Sequence, residues 1–274
     1  MQYFDTHAHI GLVCEDPIEQ LIVVQEARQA SVMRIVSVCN SLHDFGRVYD
    51  NLKSADYVYH AVGVSPSEVQ NPGRDWIKTI EQSFNLPRVI ALGEIGLDYY
   101  RKFGDKKSQI ELFITQLDLA AKLDKPVIIH TRGSTDDKNA RGPTPGGSDA
   151  GKNILEILRD RLPSKGGVLH CYSEDAEYAK KVLDLNLYFS FAGNLTYRNA
   201  RNLHETIGVL PLDRILIESE SPFMVPAEHR NKRNMPKYLP ITARFMAEML
   251  DINEEELADI LWENANRFFG LPLN

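Results

Sequence analysis

Residues 126–130 read Pro-Val-Ile-Ile-His, a short apolar and β-branched run that ends in a histidine. Runs of this kind recur along the chain, and segments with helical apolar spacing separate them. The runs are almost continuously hydrophobic, which is typical of parallel strands that are covered on both faces. We therefore predict eight strands, at residues 2–5, 34–39, 58–64, 89–93, 126–130, 166–170, 187–191 and 214–218.

The alternation of strands and helices indicates the fold. Helices are predicted at residues 17–30, 75–83, 108–123, 152–161, 176–185 and 200–209. Eight strand and helix units in about 250 residues match a (β/α)8 TIM barrel, an α/β fold. An open doubly wound sheet is the alternative, but its Gly-rich phosphate turn is missing after the first strand, where residues 5–9 read Asp-Thr-His-Ala-His. Two extra C-terminal helices, at residues 241–250 and 254–269, are expected to pack outside the barrel.

Composition limits the class of protein. The chain has 274 residues, of which 43% are hydrophobic and 25% are charged, and only 3 are cysteine. These values exclude disorder, a collagen-like fibre and a disulfide scaffold. No linker or composition shift divides the sequence, so residues 1–274 are predicted to form a single domain. No window approaches the roughly 20 apolar residues of a membrane span, so we expect no membrane partner. The three widely separated cysteines form no CxxC pair and suit a reducing compartment, so we expect a cytoplasmic location.

The ends of the predicted strands carry the candidate chemistry. In a barrel of this kind the carboxyl ends of all strands meet at one face. Histidines or acids stand at five of these ends: His7 with His9, Glu94, His130, His170 and Glu220. The i, i+2 spacing puts His7 and His9 on one side of an extended segment. Imidazoles and carboxylates without a thiolate partner are ligands for Zn, Mn, Fe or Mg, so the sequence predicts a metal site.

The number of ligands favours two divalent ions. Five or six ligands are too many for one ion that must keep a position open for water. Glu94 lies on a central strand, where it is placed to bridge two ions. Two ions about 3.5–4 Å apart activate a hydroxide and clamp both oxygens of a transferring phosphoryl group. These ligands accept Mg, Mn or Zn, so the identity of the ions is left open.

The motifs at these positions closely resemble those of the TatD family, metal-dependent deoxyribonucleases of the amidohydrolase superfamily. The resemblance spans the whole chain and extends to residues 229–234 and 263–267. Its main segments are FDTHAH at residues 4–9, GEIGLDY at 93–99, PVIIHTR at 126–132, LHCYS at 169–173 and ESESP at 218–222.

This resemblance implies a ligand set and a reaction. His7, His9 and Glu220 would hold one metal, His130 and His170 would hold the second, and Glu94 would bridge them. Glu94 and Glu220 are the expected catalytic residues, with Glu220 orienting or deprotonating the attacking water. The implied reaction is phosphodiester hydrolysis in DNA, commonly as 3′-to-5′ exonuclease trimming. DNA single strands or 3′ ends are therefore the expected substrate, and no obligate protein partner is inferred.

Three features depart from the family pattern. Glu220 stands where the family usually has Asp, and the extra methylene moves the carboxylate outward or forces another rotamer. Ser65 and Ser67 stand where the family usually has histidines, so short hydroxyls replace groups that could contact a phosphate. After the fifth strand the chain expands into a segment rich in Gly, Pro, Asp and Ser, and this loop at 131–151 is expected to overhang the site.

Candidate substrate-binding residues surround the predicted metal site. Arg132 and Ser65 follow predicted strands, and a basic cluster without an acid follows the last one. In a chain of net charge −7, local positive charge favours phosphate binding, which we assign to Arg230, Lys232 and Arg233 in that cluster. The GxxxxGK match at 146–152 is not predicted to bind a nucleotide, because Asn153 replaces the Ser or Thr that would hold magnesium.

Two alternative functions stay open at the level of sequence. The same ligands could serve a hydrolase of small amides, esters or lactones, although superfamily relatives of that kind carry a carboxylated bridging lysine where this chain has Glu94. A metal-binding homologue of low activity is the other alternative, because Glu220, Ser65 and Ser67 depart from the family pattern.

Overall fold

A computed structural model of the chain describes residues 1–134 and 145–273, and it contains the expected barrel. Eight strands pair in parallel and in sequence order, which confirms the (β/α)8 prediction. The strands are β1 (Tyr3–Ala8), β2 (Val32–Val38), β3 (Val58–Val62), β4 (Val89–Asp98), β5 (Val127–Arg132), β6 (Gly167–Leu169), β7 (Leu187–Phe191) and β8 (Ile215–Ile217).

Helices follow or connect the strands. They are α1 (Ile10–Val13), α2 (Pro17–Gln29), α3 (Leu42–Leu52), α4 (Trp76–Ser83), α5 (Lys106–Leu123), α6 (Asp149–Arg161), α7 (Ala176–Val182), α8 (Arg201–Ile207), α9 (Leu239–Leu250) and α10 (Glu254–Phe269). The predicted helices are all present, whereas α1 and α3 are additional. Within the described residues, no helix has both the length and the apolar character needed to cross a membrane.

Three predicted boundaries need correction. β1 and β4 run further than predicted because their pairing with β2 and β5 continues, as far as Ala8 with Ser37 and Asp98 with Arg132. His7 and Glu94 therefore lie within strands. The loop predicted at 131–151 ends earlier, since the Ser148 side chain accepts a hydrogen bond from Gly151 N and caps α6. The rest of that loop, residues 135–144, lies outside the described residues.

The barrel interior is filled at its amino-terminal end. Each strand contributes a buried apolar side chain to one cluster: Phe4, Val36, Ala61, Ala91, Ile128, Val168, Tyr188 and Leu216. Aromatic residues of α10 complete this cluster, with Phe269 at 5.5 Å from Phe4 and Phe268 at 5.2 Å from Tyr188 between ring centroids. α10 therefore covers the amino-terminal end of the barrel, and the carboxyl end is left for a functional site.

The seam between the first and last strands is closed by four hydrogen bonds. Ser219 N donates to Asp5 Oδ1 at 2.8 Å, and Thr6 Oγ1 donates to Ile217 O at 3.0 Å. Further along, Glu220 N donates to His7 O at 2.9 Å, and His9 N donates to Ser221 O at 2.8 Å. These bonds fix the segment that follows β8 beside the two histidines of β1.

Candidate metal centre

Six side chains that the sequence predicts as metal ligands come together at the carboxyl end of the barrel. β1 and the residue after it supply His7 and His9, whose Nε2 atoms are 3.1 Å apart. His130 on β5 and His170 after β6 approach each other at 3.2 Å between Nδ1 and Nε2. Glu94 on β4 and Glu220 after β8 complete the group, which consists of His7, His9, Glu94, His130, His170 and Glu220.

The Glu94 carboxylate lies between the two histidine pairs. Its Oε2 is 3.8 Å from His7 Nε2 and 3.5 Å from His9 Nε2. Its Oε1 is 3.0 Å from His130 Nδ1 and 3.6 Å from His170 Nε2. One oxygen therefore faces each pair, which is the arrangement that a bridging carboxylate requires.

The Glu220 carboxylate reaches the same cluster from the seam. Its Oε2 lies 3.4 Å from His7 Nε2, 3.9 Å from His9 Nε2 and 3.8 Å from His170 Nδ1. The backbone hydrogen bond from Glu220 N to His7 O holds this residue against β1. The longer side chain at this position thus reaches both histidine pairs.

Two further acids belong to the site, although the sequence pattern assigns them no role. Asp98 Oδ2 lies 3.5 Å from His130 Nε2. Glu218 is fully buried; its Oε1 accepts a hydrogen bond from Cys171 N at 2.8 Å and lies 3.5 Å from His170 Nδ1. The sequence could have indicated both acids, because residues an even number of positions apart in an extended segment point to the same face. Asp98 lies four residues after Glu94, and Glu218 lies two residues before Glu220.

Burial and mutual charge shift the pKa values of the cluster in opposite directions. Burial alone would raise the pKa of Glu94, but His170 and His130 outweigh it and hold that pKa well below its usual range. Burial, followed by neighbouring imidazoles, lowers the pKa of His7. Burial, with the charges of Glu218 and Glu94, raises the pKa of Glu220 to about 8 against the effect of His170. Carboxylates this close together need a compensating positive charge.

The residues present fit divalent metal ions. The potential ligand atoms form three groups, each within 4.8 Å: His7, His170, Glu218 and Glu220; His7, His9 and Glu94; and Glu94, His130 and His170. Among the described residues, several buried atoms of these side chains have no hydrogen-bond partner: His7 Nδ1, His9 Nδ1, His130 Nε2, His170 Nδ1, Glu218 Oε2 and Glu220 Oε2. Unpaired buried nitrogen and oxygen donors without a thiolate match the ligand preference of such ions.

A cleft of about 410 Å³ opens above the cluster. Ser65 and Arg132 line it, together with Asn194 and Phe223. The Arg132 guanidinium stacks over the Tyr100 ring at 4.1 Å. Two of the predicted substrate-binding residues are therefore brought to the cleft.

The basic cluster after β8 is placed differently. Among the described residues that line the cleft, Arg230, Lys232 and Arg233 are absent. Arg230 lines a separate recess, and Arg233 donates a hydrogen bond to Leu12 O at 2.9 Å. Their predicted role in phosphate binding stays a prediction.

A barrel of eight parallel strands with buried imidazoles and carboxylates at its carboxyl end is typical of the class of metal-dependent enzymes. Within this class the chain belongs to the TatD family. The family model described as TatD related DNase matches residues 4–270, which confirms the resemblance seen in the motifs.

Individual relatives agree with this family. The chain is 33% identical to the metal-dependent hydrolase YabD of Bacillus subtilis, over 98% of this chain and 99% of that protein. It is 35% identical to the metal-dependent hydrolase YcfH of Escherichia coli, over 97% and 95% of the two chains. The crystal structure of YJJV, a TatD homologue from Escherichia coli, superposes with a TM-score of 0.85 at 25% identity, over 98% of each chain.

Proposed function

We propose that this protein is a deoxyribonuclease that hydrolyses DNA phosphodiester bonds with the help of two divalent metal ions. The observation that carries the proposal is the Glu94 carboxylate, whose two oxygens face separate histidine pairs at 3.0–3.8 Å. The family description, TatD related DNase, supports DNA as the substrate. The proposed mode is 3′-to-5′ trimming of single strands or 3′ ends, with Mg, Mn or Zn as the ions.

The proposed ligand sets are those that the resemblance to the TatD family implies, and the proximity of the six side chains supports them. His7, His9 and Glu220 would hold one ion, His130 and His170 would hold the other, and Glu94 would contact both. When bound, divalent ions lower the pKa of water and neutralise the charge that develops on phosphate oxygens.

The side chains of the chain itself supply the remaining steps. Glu220 Oε2, at 3.4 Å from His7 Nε2, would orient the attacking water and take its proton. Attack at phosphorus would break the bond to the 3′ oxygen of the neighbouring nucleotide. The proton taken up by Glu220 would pass to that oxygen, which leaves a new 3′-hydroxyl on the strand and releases a 5′-mononucleotide. Arg132 and Ser65 line the cleft and would hold the phosphate flanking that bond.

Release of nucleotides from single-stranded DNA by the purified protein tests this function. We expect release with Mg or Mn, no release with excess chelator, and none from the variant His7→Ala/His9→Ala. A p-nitrophenyl phosphodiester, a small amide and a lactone are assayed in parallel. Turnover of the amide or lactone, with no turnover of DNA or the phosphodiester, would replace the nuclease by the small-molecule hydrolase.

The number of ions is tested separately with Glu94→Gln. Since one amide oxygen cannot serve both histidine pairs as a carboxylate does, we expect the bound metal to fall from two ions towards one per chain. Nucleotide release should fall by more than about 100-fold, because even an indirect partner of a metal ligand contributes 10- to 100-fold. Metal analysis after gel filtration measures the stoichiometry, and two ions retained by the variant would contradict the bridging role.

A further inference from the structure

A recess lies beside the cleft on the same face of the barrel. Its walls come from the segments after β7 and β8, and its volume is about 400 Å³. That volume is within the range of ligand pockets, roughly 300–1,000 Å³. We call it the rim recess, and its lining consists of Tyr197, Arg198, Asn199, Ala227 and Arg230.

The rim recess combines positive charge with an aromatic ring. The Arg230 guanidinium lies 5.4 Å from the centre of the Tyr197 ring, and both Arg198 and Arg230 are exposed. In the part of the chain that the structure describes, no acid lines the recess and neither arginine forms an ion pair. The neighbouring acid, Glu228, is paired with Arg244 at 3.2 Å. The two positive charges are thus available to an anion.

The recess is held in shape by hydrogen bonds between its two segments. Tyr197 Oη donates to Val225 O at 2.8 Å, and Ala227 N donates to Thr196 Oγ1 at 2.7 Å. Gly193 permits this close approach, since a Cβ there would lie 2.2 Å from Met224 O. The ring and the two backbone segments are therefore fixed before a ligand arrives, which reduces the entropic cost of binding.

The recess continues directly from the cleft. Asn194 lines the cleft, Tyr197 lines the recess, and a 3-10 turn (Gly193–Thr196) connects them. At a rise of about 2 Å per residue the two positions are about 6 Å apart along the turn. A separation of this size is on the scale of neighbouring nucleotides in one strand, so a strand in the cleft can extend into the recess.

We propose that the rim recess binds a nucleotide of single-stranded DNA that flanks the nucleotide in the cleft. The base stacks on the surface formed by the Tyr197 ring and the Arg230 guanidinium, while Arg198 and Arg230 neutralise phosphates. Duplex ends present paired and stacked bases, so this site favours single strands. The inference rests on the proposed nuclease function, because the bond to be cleaved lies in the cleft.

Binding of a fluorescein-labelled oligothymidylate to the metal-free protein tests the recess without any cleavage. Fluorescence anisotropy is measured in chelator over a range of salt concentrations. For Arg198→Ala/Arg230→Ala we expect binding to be weaker by at least about tenfold, because the variant loses two phosphate contacts and part of the stacking surface. The slope of log affinity against log salt should decrease by about 1.4, which is two phosphate contacts at 0.7 each. Lys53→Ala/Lys165→Ala is the control, because it removes the same charge from two loops at the opposite end of the barrel, each of which connects a helix to the next strand. The affinity of this variant for the oligonucleotide should be within twofold of that of the native chain.

A second pair of variants separates the ring from its hydrogen bond. Tyr197→Phe keeps the ring but loses the bond to Val225 O, whereas Tyr197→Leu loses the ring. We expect Tyr197→Phe to bind nearly as the native chain does and Tyr197→Leu to bind about tenfold more weakly. Thermal unfolding of each variant confirms that it is folded.

Several outcomes would overturn the rim recess. If the double arginine variant and the double lysine variant lose equal affinity, the effect is one of general electrostatics and not of the recess. If the double arginine variant and Tyr197→Leu both bind as the native chain does, the recess is not a binding site. Failure of the native chain to bind the oligonucleotide at low salt would also show that the recess is not a binding site. By contrast, recess-dependent binding without nucleotide release in the presence of metal would refute the nuclease and leave the recess in place.

Discussion

The length of the Glu220 side chain sets where its carboxylate meets the histidines of the site. The family usually has Asp at this position, yet Glu220 Oε2 reaches within 3.4–3.9 Å of His7, His9 and His170. Its backbone is fixed by the bond to His7 O, so the side chain alone sets how far the carboxylate extends. The surrounding distances therefore suit the longer residue.

We predict that Glu220→Asp lowers the rate of nucleotide release. Shortening the side chain withdraws the carboxylate by about 1 Å, and a displacement of that size costs up to about 100-fold in rate. Steady-state assays with saturating Mn measure the effect, and Glu220→Gln gives the rate without a carboxylate. A large gain in rate for Glu220→Asp would instead favour the homologue of low activity.

Among the elements, α5 positions two strand ends beside the cleft. Gln109 and Gln116 face inward from this helix, and each forms a pair of hydrogen bonds with one backbone residue. Gln116 Oε1 accepts from Val64 N at 2.7 Å, and its Nε2 donates to Val64 O at 2.9 Å. Gln109 makes the equivalent pair with Asp98 at 2.9 and 3.0 Å. The two glutamines thus fix the segments that carry Ser65 and Asp98.

We predict that Gln116→Met destabilises the fold by about 2 kcal/mol, because the buried Val64 N and O lose their partners. Chemical denaturation monitored by circular dichroism measures this change. Gln82→Met on α4 is the matched control, since an exposed substitution changes stability by less than about 0.5 kcal/mol. Equal stability of the two variants would contradict the role assigned to Gln116.

The contact between β3 and α3 makes stability depend on pH. His60 is 1% exposed and lies 5.0 Å from the Tyr49 ring between ring centroids. Burial, assisted by Arg88, lowers the pKa of His60 to about 3. In an unfolded chain a histidine has a pKa of about 6.5, so the unfolded state takes up the proton first. The contribution of neutral His60 to the free energy of unfolding is therefore fully present above pH 6.5, and it is lost as the pH falls towards 3.

We predict that His60→Gln reduces this acid sensitivity. Between pH 7.5 and pH 5.0 the native chain should lose about 2 kcal/mol more of its unfolding free energy than the variant does. Denaturation curves at the two pH values, recorded in chelator, measure the difference. His43→Gln replaces an exposed histidine and should keep the native dependence, and the same dependence in His60→Gln would rule out this origin.

At the scale of the whole molecule, the metal cluster ties together strands that are distant in sequence. Its six side chains come from β1, β4, β5 and the segments after β1, β6 and β8. The barrel has β1 and β8 as the ends of its sheet, and the described hydrogen bonds at the seam join Asp5, Thr6, His7 and His9 to residues 217–221. Ions that bind to the folded cluster therefore stabilise the closed barrel.

We predict that removal of metal lowers the melting temperature by about 5–10 °C. A ligand present at 100 times its Kd adds about 2.7 kcal/mol, and 1 kcal/mol corresponds to about 2–4 °C in chains of this size. Differential scanning calorimetry with Mn and with chelator measures the shift. His7→Ala/His9→Ala should show a much smaller shift, and an equal shift in that variant would place the stabilising ion elsewhere.

The sequence by itself predicted the barrel, the order of its strands and the six side chains that meet at its carboxyl end. These features are local in origin, because apolar periodicity reports strands and helices, and the residue type at a strand end reports its chemistry. Some boundaries were wrong, because pairing with neighbouring strands extended β1 and β4, and the Ser148 cap starts α6 earlier than predicted. The assignment of residues 1–274 to a single domain stays a prediction.

Only the tertiary structure decided how these side chains face one another. It directed the two oxygens of Glu94 to different histidine pairs, and it directed Arg230 to a separate recess with Tyr197. The rotamer of a buried acid and the path of a loop depend on contacts with residues far away in the chain. Those contacts exist only after the barrel has closed, so no local pattern in the sequence records them.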